Sequence, residues 1–121
     1  MTQTFSFDEP VFRELGDELG AEDTAAVLNA FLADTAKRLH RLETDDQSLS
    51  DIKREAHSMK SSAATFGFRM LSQLARELEA GVETMPQAAL QESIRKIRQA
   101  FEATLAFAQA NLLKTGCGAA R

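Results

Sequence analysis

The chain has 121 residues, 44% of them hydrophobic and 26% charged, with 14 basic and 18 acidic side chains and a net charge of −4. That length supports one domain over residues 1–121 with a single sizeable core, and eight Phe among many Leu exclude a disordered chain. The acidic balance excludes general nucleic-acid binding, which needs a basic footprint, and no apolar run is long enough to span a bilayer. The opening MTQTFSFDEP lacks the basic-then-apolar order of a secretory signal. One cysteine, Cys117, allows neither an internal disulfide nor a thiolate metal cluster, so the expected compartment is cytoplasmic.

Two prolines and six glycines punctuate the chain, none of them between Ala21 and Phe66, and good helix formers dominate. A short first helix is expected from Asp8, with Pro10 just inside it, Val11, Phe12, Leu15 and Leu19 as its apolar stripe, and Gly20 as its stop. A second helix is expected from about Glu22 to Glu43, with Leu28, Phe31, Thr35, Leu39 and Leu42 at spacings of three and four and Val27 and Leu32 widening the stripe. After the polar link Thr44–Ser48, a third helix begins at a Ser48 or Ser50 cap and ends at Gly67. Its apolar positions are Leu49, Ile52, Ala56, Met59, Ala63 and Phe66.

A fourth helix, from Phe68 to about Glu83, turns Leu71, Leu74 and Leu78 inward. After Met85-Pro86 a fifth runs to about Leu113, burying Leu90, Ile94, Ile97, Phe101, Leu105, Ala108 and Leu112, with Glu92 pairing Arg95 or Lys96 and Arg98 pairing Glu102 outside. Four long amphipathic helices on short links must bury their stripes on one another. The expected fold is therefore all-α, an antiparallel up-down-up-down four-helix bundle with a short extra N-terminal helix as a lid. Residues 115–121 have no periodicity and are expected to fray.

One polar cluster stands out from the solvated helix faces. His57 follows the core position Ala56 and so sits about 100° round the third helix, beside the buried seam. Its neighbours at three and four residues are Lys53, Arg54, Lys60 and Ser61, with Ala64 a turn beyond. Three nearby cations disfavour the imidazolium, which leaves a neutral ring with a nucleophilic lone pair. The same cations favour a negative group attached to it, and Ser61 and Ala64 leave the ring open to a partner. A rigid helix holding such a ring suits the receipt and release of a phosphoryl group.

The stretch Ala56-His57-Ser58-Met59-Lys60-Ser61-Ser62-Ala63-Ala64-Thr65-Phe66-Gly67 resembles the signature of histidine phosphotransfer (HPt) domains of two-component multistep phosphorelays. Leu71 and Leu78-Glu79 also fall where that family carries Leu and Leu-Glu. The resemblance implies that His57 is the phosphoacceptor, that Lys60 supports the phosphate, and that Gly67 closes the active helix. Glu79 falls where family members place a polar residue that bonds the imidazole and sets its tautomer. Lys53, Arg54 and Ser61 are expected to add support, with Ser61, Ala64 and Arg69 at the docking surface. Ser61 departs from the family, where glycine is usual. The implied partners are response-regulator receiver domains or a hybrid histidine kinase. No cofactor is expected on this chain, Mg²⁺ being supplied by the receiver, and the bundle is expected to be a monomer.

The remaining features point elsewhere. His40, in Lys37-Arg38-Leu39-His40-Arg41, lacks the small neighbours of a docking surface and reads as solvated. Neither histidine has a metal-ligand partner at helical spacing. Ser58, Ser61 and Ser62 share one helix with His57 and so lack the oxyanion hole and orienting acid of a hydrolase. No glycine-rich phosphate loop is present, so neither ATP binding nor self-phosphorylation is expected. Two alternatives to a phosphate carrier are a non-catalytic helical adaptor and the dimerising hairpin of a histidine kinase.

Overall fold

The first helix begins where the chain offers a capping carboxylate. In the computed structural model, which describes residues 5–44 and 46–113, Asp8 is extended and its side chain accepts from the Val11 N–H at 3.4 Å, opening α1 (Glu9–Leu19). Gly20, at φ +85°, ends it, and α2 (Ala21–Thr44) follows at once. Of the two candidate caps for α3 (Leu49–Phe66), Ser48 serves: its hydroxyl accepts from Asp51 N–H at 3.1 Å. α4 (Arg69–Gly81) is shorter than its periodicity predicts, because Phe68 buries its ring at the cap position and the chain turns after Val82.

α5 (Gln87–Phe107) does not run unbroken to Leu113 as predicted: Ala108–Leu112 widen into a π-helical turn. Apolar spacing carries no signal for one extra residue in a single turn.

α3 packs on α4, α4 on α5, α5 on α2 and α2 on α3, closing a ring of four antiparallel helices, while α1 lies against α2 and α3. The core is the expected stripe of Leu28, Phe31, Leu39, Ala56, Met59, Leu71, Leu78, Ile97 and Phe101, joined by the buried Ala75 and Ala100. Three predicted apolar positions are open instead. Leu49 stands ahead of Ile52, where burial of α3 begins; Val27 lies about 100° off Leu28; Leu19 closes α1 at its free end. Leu74, Leu90, Leu105 and Leu112 only pack against the core from its edge. Arg98 also differs from expectation. Its closest carboxylate is Glu43 on α2, at 2.6 Å, rather than Glu102 at 3.8 Å, so it ties two helices together.

The α3–α4 junction is fastened by the segment before α1. Asp8 N–H donates to the Gly67 carbonyl at 2.7 Å, and Arg69 N–H donates to the Ser6 carbonyl at 2.9 Å. Gly67 is left-handed at φ +87°, and a Cβ there would come within 2.6 Å of the Asp8 carbonyl oxygen, so only glycine fits. Above this turn Phe7 packs on Phe68, Phe12 and Phe107 with ring centroids 4.8–5.8 Å apart. The aromatic plug holds the end of α3 and the start of α4 in a fixed relation. Cys117 and the predicted frayed tail at 115–121 lie outside the described residues.

On the other side of α3, periodicity missed a buried carboxylate. Glu55 is 7% exposed and receives Arg38 Nη1 at 2.8 Å, Arg41 Nε at 2.7 Å and Gln47 Nε2 at 3.2 Å. The Arg41 hydrogen bond, with help from Gln47 and Arg38 and against the cost of burial, holds the Glu55 carboxyl at about 2. It is therefore ionised at neutral pH and clamps α3 to α2.

Candidate functional site

His57 lies on the open side of α3, facing the groove with α4. The turn at Gly67 reverses the chain, so Glu79, twelve residues after that glycine, returns level with His57, ten residues before it. Ser72 adds register: its hydroxyl donates to the Lys60 carbonyl at 2.9 Å. The imidazole is 60% exposed, so it is held at its edge and open above.

The hold comes from Glu79. Its Oε2 lies 2.9 Å from His57 Nδ1 and its Oε1 2.8 Å from Lys60 Nζ, so one carboxylate bridges the two residues. Lys60 is the principal cause of a Glu79 carboxyl held below the ordinary carboxylate range, against partial burial and with a further contribution from His57. An ionised carboxylate only accepts hydrogen bonds, so the proton it receives must sit on Nδ1. In the neutral ring the lone pair is then on Nε2, the nitrogen turned away from Glu79.

The cations counted around the ring have carboxylate partners, two of which the local spacing hides. Lys53 Nζ lies 3.4 Å from Glu83, and Arg54 Nη1 lies 2.9 Å from Asp51. With Lys60 on Glu79, three positive charges beside the ring meet three negative ones. The expected strongly cationic setting is thus a balanced one, in a hollow lined by Ser50, Lys53, Arg54, His57, Ser58, Glu79 and Glu83. Asp51 was legible three residues before Arg54. Glu83 arrives from another helix, and no short-range pattern announces it.

The other candidates lie further along the groove. Ser61 and Ala64 are exposed on the C-terminal side of His57, and the Ser61 hydroxyl makes no hydrogen bond among the described residues, its carbonyl accepting from Thr65 Oγ1 at 3.0 Å. Gly67 closes α3. Arg69 is exposed at the start of α4 and lines a second hollow with Ala64, away from the imidazole. His40 is exposed on α2, remote in sequence from this groove, with its carbonyl bonded by Thr44. Among the described residues no group of three His, Cys, Asp or Glu side chains is placed to hold a metal ion, and no helix is long and apolar enough to cross a membrane.

A family model, that of the Hpt domain, matches residues 26–108, a span that contains α3, α4 and all of the groove just described. No curated protein and no solved structure matches the chain.

Proposed function

Because the chain belongs to the Hpt domain family, whose role is phosphotransfer in two-component phosphorelays, we propose that His57 accepts a phosphoryl group from the aspartyl phosphate of one receiver domain and passes it to another. The observation that carries this reading is the exposed imidazole whose Nδ1 is held on the Glu79 carboxylate.

The chemistry follows from that hydrogen bond. The Nε2 lone pair attacks phosphorus, an N–P bond forms, the P–O bond to the receiver's aspartate breaks, and the carboxylate leaves with its electron pair. The proton on Nδ1 stays where it is. Positive charge therefore develops on the ring during transfer, opposite the Glu79 carboxylate already placed to face it. Onward transfer reverses these steps and releases a neutral imidazole. Lys60, within a turn of His57 and tethered by the same Glu79 carboxylate, is a cation for the phosphoryl oxygens. Lys53 and Arg54 line the hollow with His57 and supply further donors. Mg²⁺ belongs to the receiver in this scheme.

Ser61 and Ala64 form the small-residue approach for the receiver backbone, and the bundle acts as a monomer. The test is transfer of label from a phosphorylated receiver domain. The parent should acquire an acid-labile, base-stable adduct, and His57→Gln should acquire none while keeping its helicity and melting temperature. Label that persists in the variant moves the acceptor elsewhere. Receiver binding without any transfer to the parent favours the adaptor reading.

A further inference from the structure

We infer that Arg69 and Arg76 form a cationic edge on α4 that docks an acidic surface of the incoming receiver, an inference that rests on the phosphotransfer reading above. Among the described residues these two arginines have no ion pair, whereas Arg13, Arg38, Arg41, Arg54, Arg95 and Arg98 each lie on a carboxylate. They stand seven residues apart on one face of α4, two turns and about 10 Å along the axis. Both line the second hollow, with Ala64, Ser72 and Gln73. The one carboxylate in that hollow, Asp8, is engaged in capping α1.

The groove is therefore polarised about His57. Toward the start of α3, Lys53 and Arg54 are matched by Glu83 and Asp51, and one step past the ring Lys60 is matched by Glu79. Toward Gly67, two unmatched guanidiniums stand on a chain whose net charge is −4. Side chains on a helix lean toward its N-terminus, which carries Arg76 away from Glu79 and toward Arg69. Arg76 accordingly lines the hollow with Ala64 and not the one with His57. The pair is thus placed to meet the protein that brings the phosphate rather than the phosphoryl group itself. A standard docking footprint of roughly 800 Å² per partner covers both the imidazole and this edge. Because a receiver's acidic patch is drawn to one end of the groove only, the edge also orients the partner along α3.

Exposed charges of this kind act on encounter and salt dependence more than on the chemical step. The test compares transfer from one phosphorylated receiver domain to the parent, to an Arg69→Glu/Arg76→Glu variant, to the milder Arg69→Ala/Arg76→Ala variant, and to Arg95→Ala as a control on α5. Charge reversal should lower kcat/KM at low salt about tenfold or more and flatten its salt dependence, with the rate at saturating receiver within about twofold of the parent. The alanine pair should fall between, and Arg95→Ala should match the parent. Unchanged kcat/KM and salt slope in the reversed variant overturn the docking edge while His57 labelling stands. A lost saturating rate with KM preserved overturns it too, as does inhibition of the parent but not the variant by millimolar inorganic phosphate, which would make the pair a free-anion site. A parent that takes no label from any receiver removes the His57 reading, and this one with it.

Discussion

α3 carries a glutamate contact on each side, and the two could hardly be used more differently. On the α2 side Glu55 is enclosed by two arginines and a glutamine, its lone pairs filled and its charge fixed down to about pH 2. On the α4 side Glu79 keeps a quarter of its side chain exposed and divides itself between a lysine and an imidazole that is itself mostly open. Both carboxylates are ionised and both bridge helices. What separates them is the partner: guanidiniums that never lose a proton make a clamp, whereas an imidazole makes a site. One seam sets where α3 lies, and the other uses that placement.

The contrast breaks most visibly at Glu55. Replacing it with Ala takes away the carboxylate that Arg38 and Arg41 of α2 share and should cost about 3 kcal/mol of stability, read as a lower denaturant midpoint. The pH dependence carries the same signature. The native carboxyl, held at about 2 against an ordinary 4.5, binds fewer protons than the unfolded chain between those values. Its contribution is complete above about pH 5 and is lost as pH falls toward 2, a total of roughly 3 kcal/mol that Glu55→Ala should erase from the acid limb. An acid limb of the same depth in the variant would mean that other groups set it.

The smaller effect is at Glu79, and it should appear in rate rather than stability. Glu79→Ala frees Nδ1 and releases Lys60, and should slow receiver-to-His57 transfer about tenfold while stability changes by under about 1 kcal/mol. Glu79→Gln, whose amide oxygen still accepts from Nδ1–H, should recover most of that loss. Equal loss in both variants would assign the effect to the carboxylate charge and Lys60 instead of the ring's hydrogen bond.

The fold was largely legible because its punctuation is strong. Asp8, Gly20, Ser48 and Gly67 each end or begin a helix through a local backbone need that the residue type declares. His57, Lys60 and Ser61 share a helical face, so their grouping was readable as well, and the likeness to Hpt signatures pointed to Glu79. What was hidden is what other helices bring. Glu83 reaches Lys53 across thirty residues, and Glu43 reaches Arg98 across fifty-five. Glu55 left a trace, falling three residues after Ile52 and four before Met59 on the inward stripe, but a charged residue in that register reads as an interruption until its arginines are seen. The phenylalanine plug over the α3–α4 turn was invisible for a similar reason: Phe5 and Phe7 precede any helix, and their contacts are set by tertiary closure alone.

The central claim is that Glu79 holds the proton on Nδ1 and so directs phosphate to Nε2 of His57. Phosphorus–proton correlation NMR on the chain labelled by a phosphorylated receiver measures this directly. The account predicts a single phosphohistidine at position 57 with phosphorus coupled through Nε2 and a retained proton on Nδ1. Phosphorus on Nδ1, or on any residue other than His57, would contradict it.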